Sequence, residues 1–308
     1  MQDVFSKAAI GKSLGSSLCG KKIVWFGTSI PAGNEATGND YPTMVGKLLG
    51  ANIINEAIGS SCLRAGYFGA KSEPDQLGLT GRWFNSIMKS MSLSSAEKQS
   101  IFDNYVTWQP LIPGAPATLT QAEVDAYKLM SYDMLLDQYL TTDTFPDLFV
   151  FDHGHNEHIT VGGTTTTWGM EMHTTPPTEN DRSYAIGAMN FIVHRILDFN
   201  PKVKIVFIGH YENQDKPNIA LLQEKYNELW GFPFEKTWEN TGWTQKTVSS
   251  KGEWIDGLWV KDSLEVATTY TMRQIWLADD THPHSDLSGG ANNYLAKIHA
   301  KWLASSAI

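Results

Sequence analysis

Four short polar segments, far apart in the chain, hold the side-chain types that acyl transfer requires. Ser29 closes the run IVWFGTS at 23–29, and the small residues of NEAIGSS follow at 55–61. DHGHNE stands at 152–157 and DDTHP at 279–283. A serine hydroxyl is a weak nucleophile at neutral pH and needs an adjacent base, a part His282 can take. The imidazole in turn needs a carboxylate to fix its tautomer, and Asp279 lies three residues before it. Charge developing on an attacked carbonyl oxygen calls for fixed donors. The Ser29 N–H, a backbone N–H at Gly59 or Ser60, and the Asn156 side-chain amide are the candidates. A Gly-Thr-Ser turn read alone is an ordinary loop start or helix cap, so its chemical meaning depends on the other three segments.

The first three of these segments are expected at the ends of buried strands of one sheet, with the fourth folding back over them. Apolar runs rich in β-branched and aromatic residues predict strands at 22–27, 51–57, 147–152 and 203–209, with a fifth near 232–238. Helical patterns fall between and after them, at 41–49, 181–199, 218–229 and 290–303. Continuous apolar strands alternating with helices predict an α/β fold, a three-layer α/β/α sandwich around a central parallel sheet. Ligands of such sheets bind at the carboxyl ends of the strands. Residues 71–146 are too long for a simple crossover; helical signals at 94–105 and 120–140 make them a helical insertion. Residues 159–183, with four consecutive threonines and Pro176-Pro177, read as a long loop. The expected organisation is one domain over 1–308, its core at 22–70 and 147–303.

In order and chemistry, the four segments resemble the blocks of the SGNH (GDSL-type) hydrolase family. GTS at 27–29 matches its nucleophile motif, IGSS at 58–61 its oxyanion glycine block, GHNE at 154–157 its Gly-x-Asn-Asp, and DDTH at 279–282 its Asp-x-x-His. The resemblance runs from about Lys22 to Leu303. It implies a flavodoxin-like fold, a Ser29–His282–Asp279 triad, an oxyanion hole from Ser29, Gly59 or Ser60 and Asn156, and no cofactor. Two departures stand out: Thr28 replaces the usual aspartate beside the nucleophile, and Glu157 stands where the family often has aspartate. Ser60 occupies a position where the family pattern has a second glycine.

Neighbouring residues offer rival roles. Asp280 competes with Asp279, whose spacing to His282 is that of the family, and His284 lacks a carboxylate at the same offset. His153, His155 and His158, with Asp152 and Glu157, carry metal-ligand chemistry, but the matched Gly-x-Asn block already accounts for polar residues there, and no metal is expected. His155 is kept as a substrate contact. Asp40 and Arg64 follow the first two blocks at the mouth of the site; Arg64 suits a carboxylate or a charged sugar, but an ordinary surface ion pair is the simpler account.

A net charge of -9, from 24 basic and 33 acidic residues without a basic block, disfavours nucleic acid and anionic membranes as partners. No apolar run reaches the length of a bilayer span, and residues 1–20 lack the apolar stretch of an export signal. The compartment and oligomeric state stay open, with secretion, the periplasm or a larger surface assembly all compatible. Eleven tryptophans and 11 tyrosines serve a core first and sugar stacking second. The expected activity is hydrolysis of an acyl ester, acetyl foremost, on a carbohydrate. The alternatives are a lipase or thioesterase acting on longer chains beneath a lid at 71–146, and a glycan-binding module without catalysis.

Overall fold

The computed structural model describes residues 16–33, 40–57, 63, 132–155, 158–161, 164–168, 185–211, 224, 227–241, 247–248, 252–255, 258–261, 270–271, 277, 282–283 and 290–306. The chain forms two compact units: Met1–Ala57, Pro146–His153 and Lys204–Ile308 make the first, and Ile58–Phe145 and Gly154–Val203 the second.

The first unit is built on a five-stranded parallel sheet. Its strands are β1 (Lys22–Gly27), β2 (Asn52–Asn55), β3 (Leu148–Asp152), β6 (Lys204–Ile208) and the short β7 (Phe234–Glu235), in the spatial order β2-β1-β3-β6-β7. The three central strands are nearly all apolar because both of their faces are buried, which removes the polar alternation of a one-sided sheet. β1 and β3 pair with Ile23 opposite Leu148, Trp25 opposite Val150 and Gly27 opposite Asp152.

Alternation divides the side chains between two faces. On one, Ile23, Trp25, Leu148, Val150, Val206 and Ile208 pack with Val45 and Leu49 of α2 (Tyr41–Leu49) and with Ala291, Leu295, Ala296, Ala300 and Leu303 of α6 (Ala291–Ser306). On the other, Phe26 stacks on Phe149 with centroids 5.9 Å apart, and Phe151 meets Phe26 and Phe207. Phe207 continues that aromatic ladder to Trp230 and Phe232. This is the expected α/β class with a central parallel sheet.

α2 is capped by Asp40, whose Oδ1 accepts from the Thr43 N–H at 2.8 Å. The remaining elements of the unit are the four-residue α1 (Ser29–Ala32), α5 (Thr237–Thr241), and two antiparallel pairs. β9 (Gly252–Ile255) pairs with β10 (Leu258–Lys261), and β8 (Thr247–Val248) with β11 (Tyr270–Thr271). β9 and the start of β10 lie in the Trp-rich stretch 230–259. Trp238 of α5 is core, and Trp230 joins the aromatic ladder.

The second unit contains α3 (Tyr132–Asp137), α4 (Ala185–Phe199) and the hairpin of β4 (His158–Val161) and β5 (Thr164–Trp168). α3 touches α4, where Arg195 bonds Asp137 at 2.5 Å, and Phe145 stacks on Phe199 at 5.0 Å. The hairpin corrects the long loop expected from 159: Val161 lies opposite Thr164, and the four threonines form a strand. Threonine is β-branched and favours extended backbone, and Gly162-Gly163 between such residues is a two-residue hairpin signal. Most of the expected insertion, including the helix at 94–105, lies outside the described residues. Of 120–140, the described part is helical at Tyr132–Asp137.

Candidate active site

β1 delivers the serine through a tight strand-to-helix turn. Gly27 is its last residue, and a Cβ added there would stand 2.2 Å from Pro31 Cγ and 3.0 Å from the Asp152 carbonyl oxygen. Only a glycine lets α1 fold back this closely over the strand end. Thr28 is extended, at φ -94 and ψ -162, and its Oγ1 accepts from the Ile30 N–H at 3.4 Å. The residue that replaces an acidic one is therefore a buried N-cap, a task that a neutral oxygen performs. α1 ends at Gly33, whose φ of 74 lies in the region that favours glycine.

His282 arrives from the other end of the chain. It precedes Pro283, which forms an antiparallel bridge with the buried Leu277, so the two ends of the segment 277–283 are tied together. His282 Nε2 lies 2.8 Å from Ser29 Oγ, both residues half-buried. That distance suits transfer of the hydroxyl proton to the ring. As the first residue of α1, Ser29 has a backbone N–H that the helix itself leaves unused.

Asn55, the last residue of β2, bonds the far side of the turn. Its Nδ2 donates to the Pro31 carbonyl and to Asp40 Oδ1, each at 2.9 Å, and its Oδ1 accepts from the Ala57 N–H at 3.1 Å. The sequence marked this stretch only as small residues whose N–H groups can face a ligand. An amide at a strand end, two residues before a run of small residues, was the available signal.

Beneath the strand ends lies a buried polar network that sequence reasoning missed. Asp152 Oδ2 accepts from the Tyr41 hydroxyl at 2.6 Å and from Trp25 Nε1 at 3.3 Å. Burial raises the Asp152 pKa to about 6, against the lowering effects of the Tyr41 bond and of His299. Burial, then the Asp152 charge and bond, likewise push the Tyr41 phenol well up. His299, on the inner face of α6, donates from Nδ1 to Glu235 Oε2 at 2.7 Å, and Asn240 Nδ2 donates to the other Glu235 oxygen at 3.2 Å. Burial alone would depress the His299 pKa; the Glu235 charge and bond, with Asp152, reverse that and raise it.

The structure thus brings Ser29 and His282 together. Asp279, Asp280, Gly59, Ser60, Asn156, Arg64 and His284 lie outside the described residues. His155 is half-buried and belongs to the second unit. Among the described residues no group of three or more His, Cys, Asp or Glu could hold a metal ion, and no helix is long and apolar enough to cross a membrane.

No protein-family model and no curated protein matches the chain. Among solved structures, a carbohydrate esterase family 2 enzyme with a carbohydrate-binding domain, from Corynascus thermopiles (Myceliophthora fergusii), is similar at 12% identity and a TM-score of 0.41, covering 92% of this chain and 66% of its own. An acetyl xylan esterase from the rumen bacterium Butyrivibrio proteoclasticus is similar at 15% identity and a TM-score of 0.35, covering 70% of this chain and 55% of its own. A third, a carbohydrate esterase whose active site displays divergent catalytic and non-catalytic binding functions, has 10% identity and a TM-score of 0.32, covering 70% and 54%. The chain spans between about half and two thirds of the length of these structures.

Proposed function

We propose that this chain is a serine esterase of SGNH type that removes an acyl group, acetyl foremost, from a carbohydrate ester. The observation that carries the reading is the 2.8 Å approach of His282 Nε2 to Ser29 Oγ across 253 positions of sequence, on a turn at the carboxyl end of a central parallel strand. Such an approach places a base against a hydroxyl where α/β sheets hold their ligands.

In the proposed cycle Ser29 Oγ attacks the ester carbonyl carbon while its proton passes to His282 Nε2. The oxygen of the tetrahedral intermediate takes hydrogen bonds from the Ser29 N–H, from Gly59 or Ser60, and from the Asn156 amide. Collapse breaks the bond to the sugar oxygen, which leaves as an alcohol with the proton from Nε2. The acyl group now sits on Ser29. Water then gives a proton to Nε2 and its oxygen to the acyl carbon; the second intermediate returns the proton to Ser29 Oγ and releases the acid. Asp279 holds the ring tautomer throughout. The carbohydrate part of the reading rests on the aromatic content of the chain, and acetyl on the absence of a long apolar stretch for fatty chains.

The test is hydrolysis of p-nitrophenyl esters of increasing chain length and of acetylated oligosaccharides. Ser29→Ala is expected to lower kcat by about 10³ or more, as removal of a covalent nucleophile does. Retention of most activity in that variant would sink the mechanism, and a rate rising with acyl length would replace the deacetylase reading by a lipase one.

A further inference from the structure

α1 is a single turn of four residues, too short to hold its own shape, and the carbonyls at its end have no following helical turn to receive. Yet Ser29 must keep its Oγ within a fraction of an ångström of the base, because a misplacement of about 1 Å costs on the order of 10²-fold in rate. Something outside the turn has to fix it. Gly27 and the Thr28 cap fix its start; at its far side, among the described residues, the Asn55 side chain holds the Pro31 carbonyl.

The bonding capacity of that side chain is fully used in the directions that matter. The two hydrogens of Nδ2 go to the Pro31 oxygen and to Asp40 Oδ1, and Oδ1 takes the Ala57 N–H. Asp40 is itself immobilised, since the same Oδ1 caps α2 at the Thr43 N–H. One amide therefore joins the end of β2, the anchored start of α2 and the turn bearing the serine, and it also grips the chain where it departs toward Gly59 and Ser60. A carboxylate in its place would meet Asp40 with like charge and the Pro31 oxygen with no hydrogen; a glutamine would be one methylene too long for the same three partners.

We infer that Asn55 is a positioning residue for the nucleophile, acting through Pro31 to set the distance between Ser29 Oγ and His282 Nε2. The inference rests on the esterase reading above. In Asn55→Ala, kcat for p-nitrophenyl acetate falls about 10-fold to 100-fold with KM changing less than about threefold, and the rate constant for labelling of Ser29 by a fluorophosphonate falls in parallel. In Asn55→Asp the loss is as large at neutral pH, and activity relative to wild type at the same pH recovers as the introduced carboxyl protonates and can again donate. A residue that only stabilised the fold would lower the melting temperature without changing kcat per folded molecule, and would give no such recovery. The inference is overturned if both variants fold and label at the wild-type rate, or if neither folds, in which case Asn55 is a structural residue. If wild-type protein is not labelled and Ser29→Ala changes nothing, the esterase reading itself fails and takes this one with it. Labelling that needs Ser29 but ignores Asn55 removes the inference alone.

Discussion

Two histidines of the same compact unit make hydrogen bonds of nearly equal length to opposite ends. His282 meets a hydroxyl at 2.8 Å in a half-buried setting, and His299 meets the Glu235 carboxylate at 2.7 Å where neither residue is more than 1% exposed. The first contact joins two groups that can pass a proton between them and still reach an incoming molecule. The second joins two groups shut away from water, whose charges hold each other in place. Length alone does not distinguish the two contacts. Partner and access do.

Exchanging the two rings for alanine breaks the comparison most sharply. His282→Ala should lower kcat by about 10³ or more while the melting temperature hardly moves, since a half-buried side chain leaves no sealed charge behind. His299→Ala should do the reverse. Among the described residues it leaves the Glu235 side chain with Asn240 alone, and should cost about 3–5 kcal/mol of unfolding free energy, read from denaturant curves, with kcat per folded molecule unchanged. Large losses of the same kind in both variants would show that the two histidines belong to one functional unit.

A smaller effect should appear as a pH dependence of stability. The folded pKa of Asp152, about 6, lies above the ordinary carboxyl value, so the folded state holds a proton that the unfolded chain has released. Its contribution is complete below about pH 4 and is lost as pH rises toward 6, by up to about 3 kcal/mol. His299, also raised, acts in the same direction at higher pH, losing its contribution as the pH passes its folded value. Denaturant midpoints of wild type measured against Asp152→Asn should fall steadily between pH 4 and 6. A flat difference would mean that Asp152 keeps its charge throughout.

The smallest effect belongs to a pair on the surface. Lys21 Nζ meets Asp147 Oδ1 at 2.9 Å, and Asp147 also accepts from the Lys22 N–H; its pKa is lowered, those bonds outweighing the opposing effect of its partial burial. Both side chains are more than two-fifths exposed, so Lys21→Ala should change stability by less than about 1 kcal/mol. A cost like that of His299→Ala would show that burial is not what separates the two carboxylate contacts.

The central strands were legible in the sequence because burial on both faces turns each into an unbroken apolar run, as in KIVWFG and LFVFD. The meeting of Ser29 and His282 was legible because a serine hydroxyl and a histidine supply what each other's chemistry needs, whatever their separation. The hairpin at 158–168 was not, since a run of threonines is polar enough to pass for a loop while its β-branching favours a strand. The buried network was hidden for a different reason. Asp152, Tyr41, Glu235 and His299 come from four elements, and no local pattern tells a strand-end aspartate that caps nothing from one that receives a tyrosine 111 positions away. Asn55 is intermediate: its amide was visible, its three partners were not.

The packing of Pro31 against Gly27 also sets what this turn can tolerate over evolutionary time. The first letter of GTS is frozen by space, because any side chain there collides with the proline ring. The middle letter is bound only by the need for a short oxygen acceptor, and serine, aspartate and asparagine meet that need as well as Thr28 does. Chains sharing this turn should therefore keep the glycine and the serine and drift freely between them, and a search for distant kin that insists on an acid in the middle would pass over them.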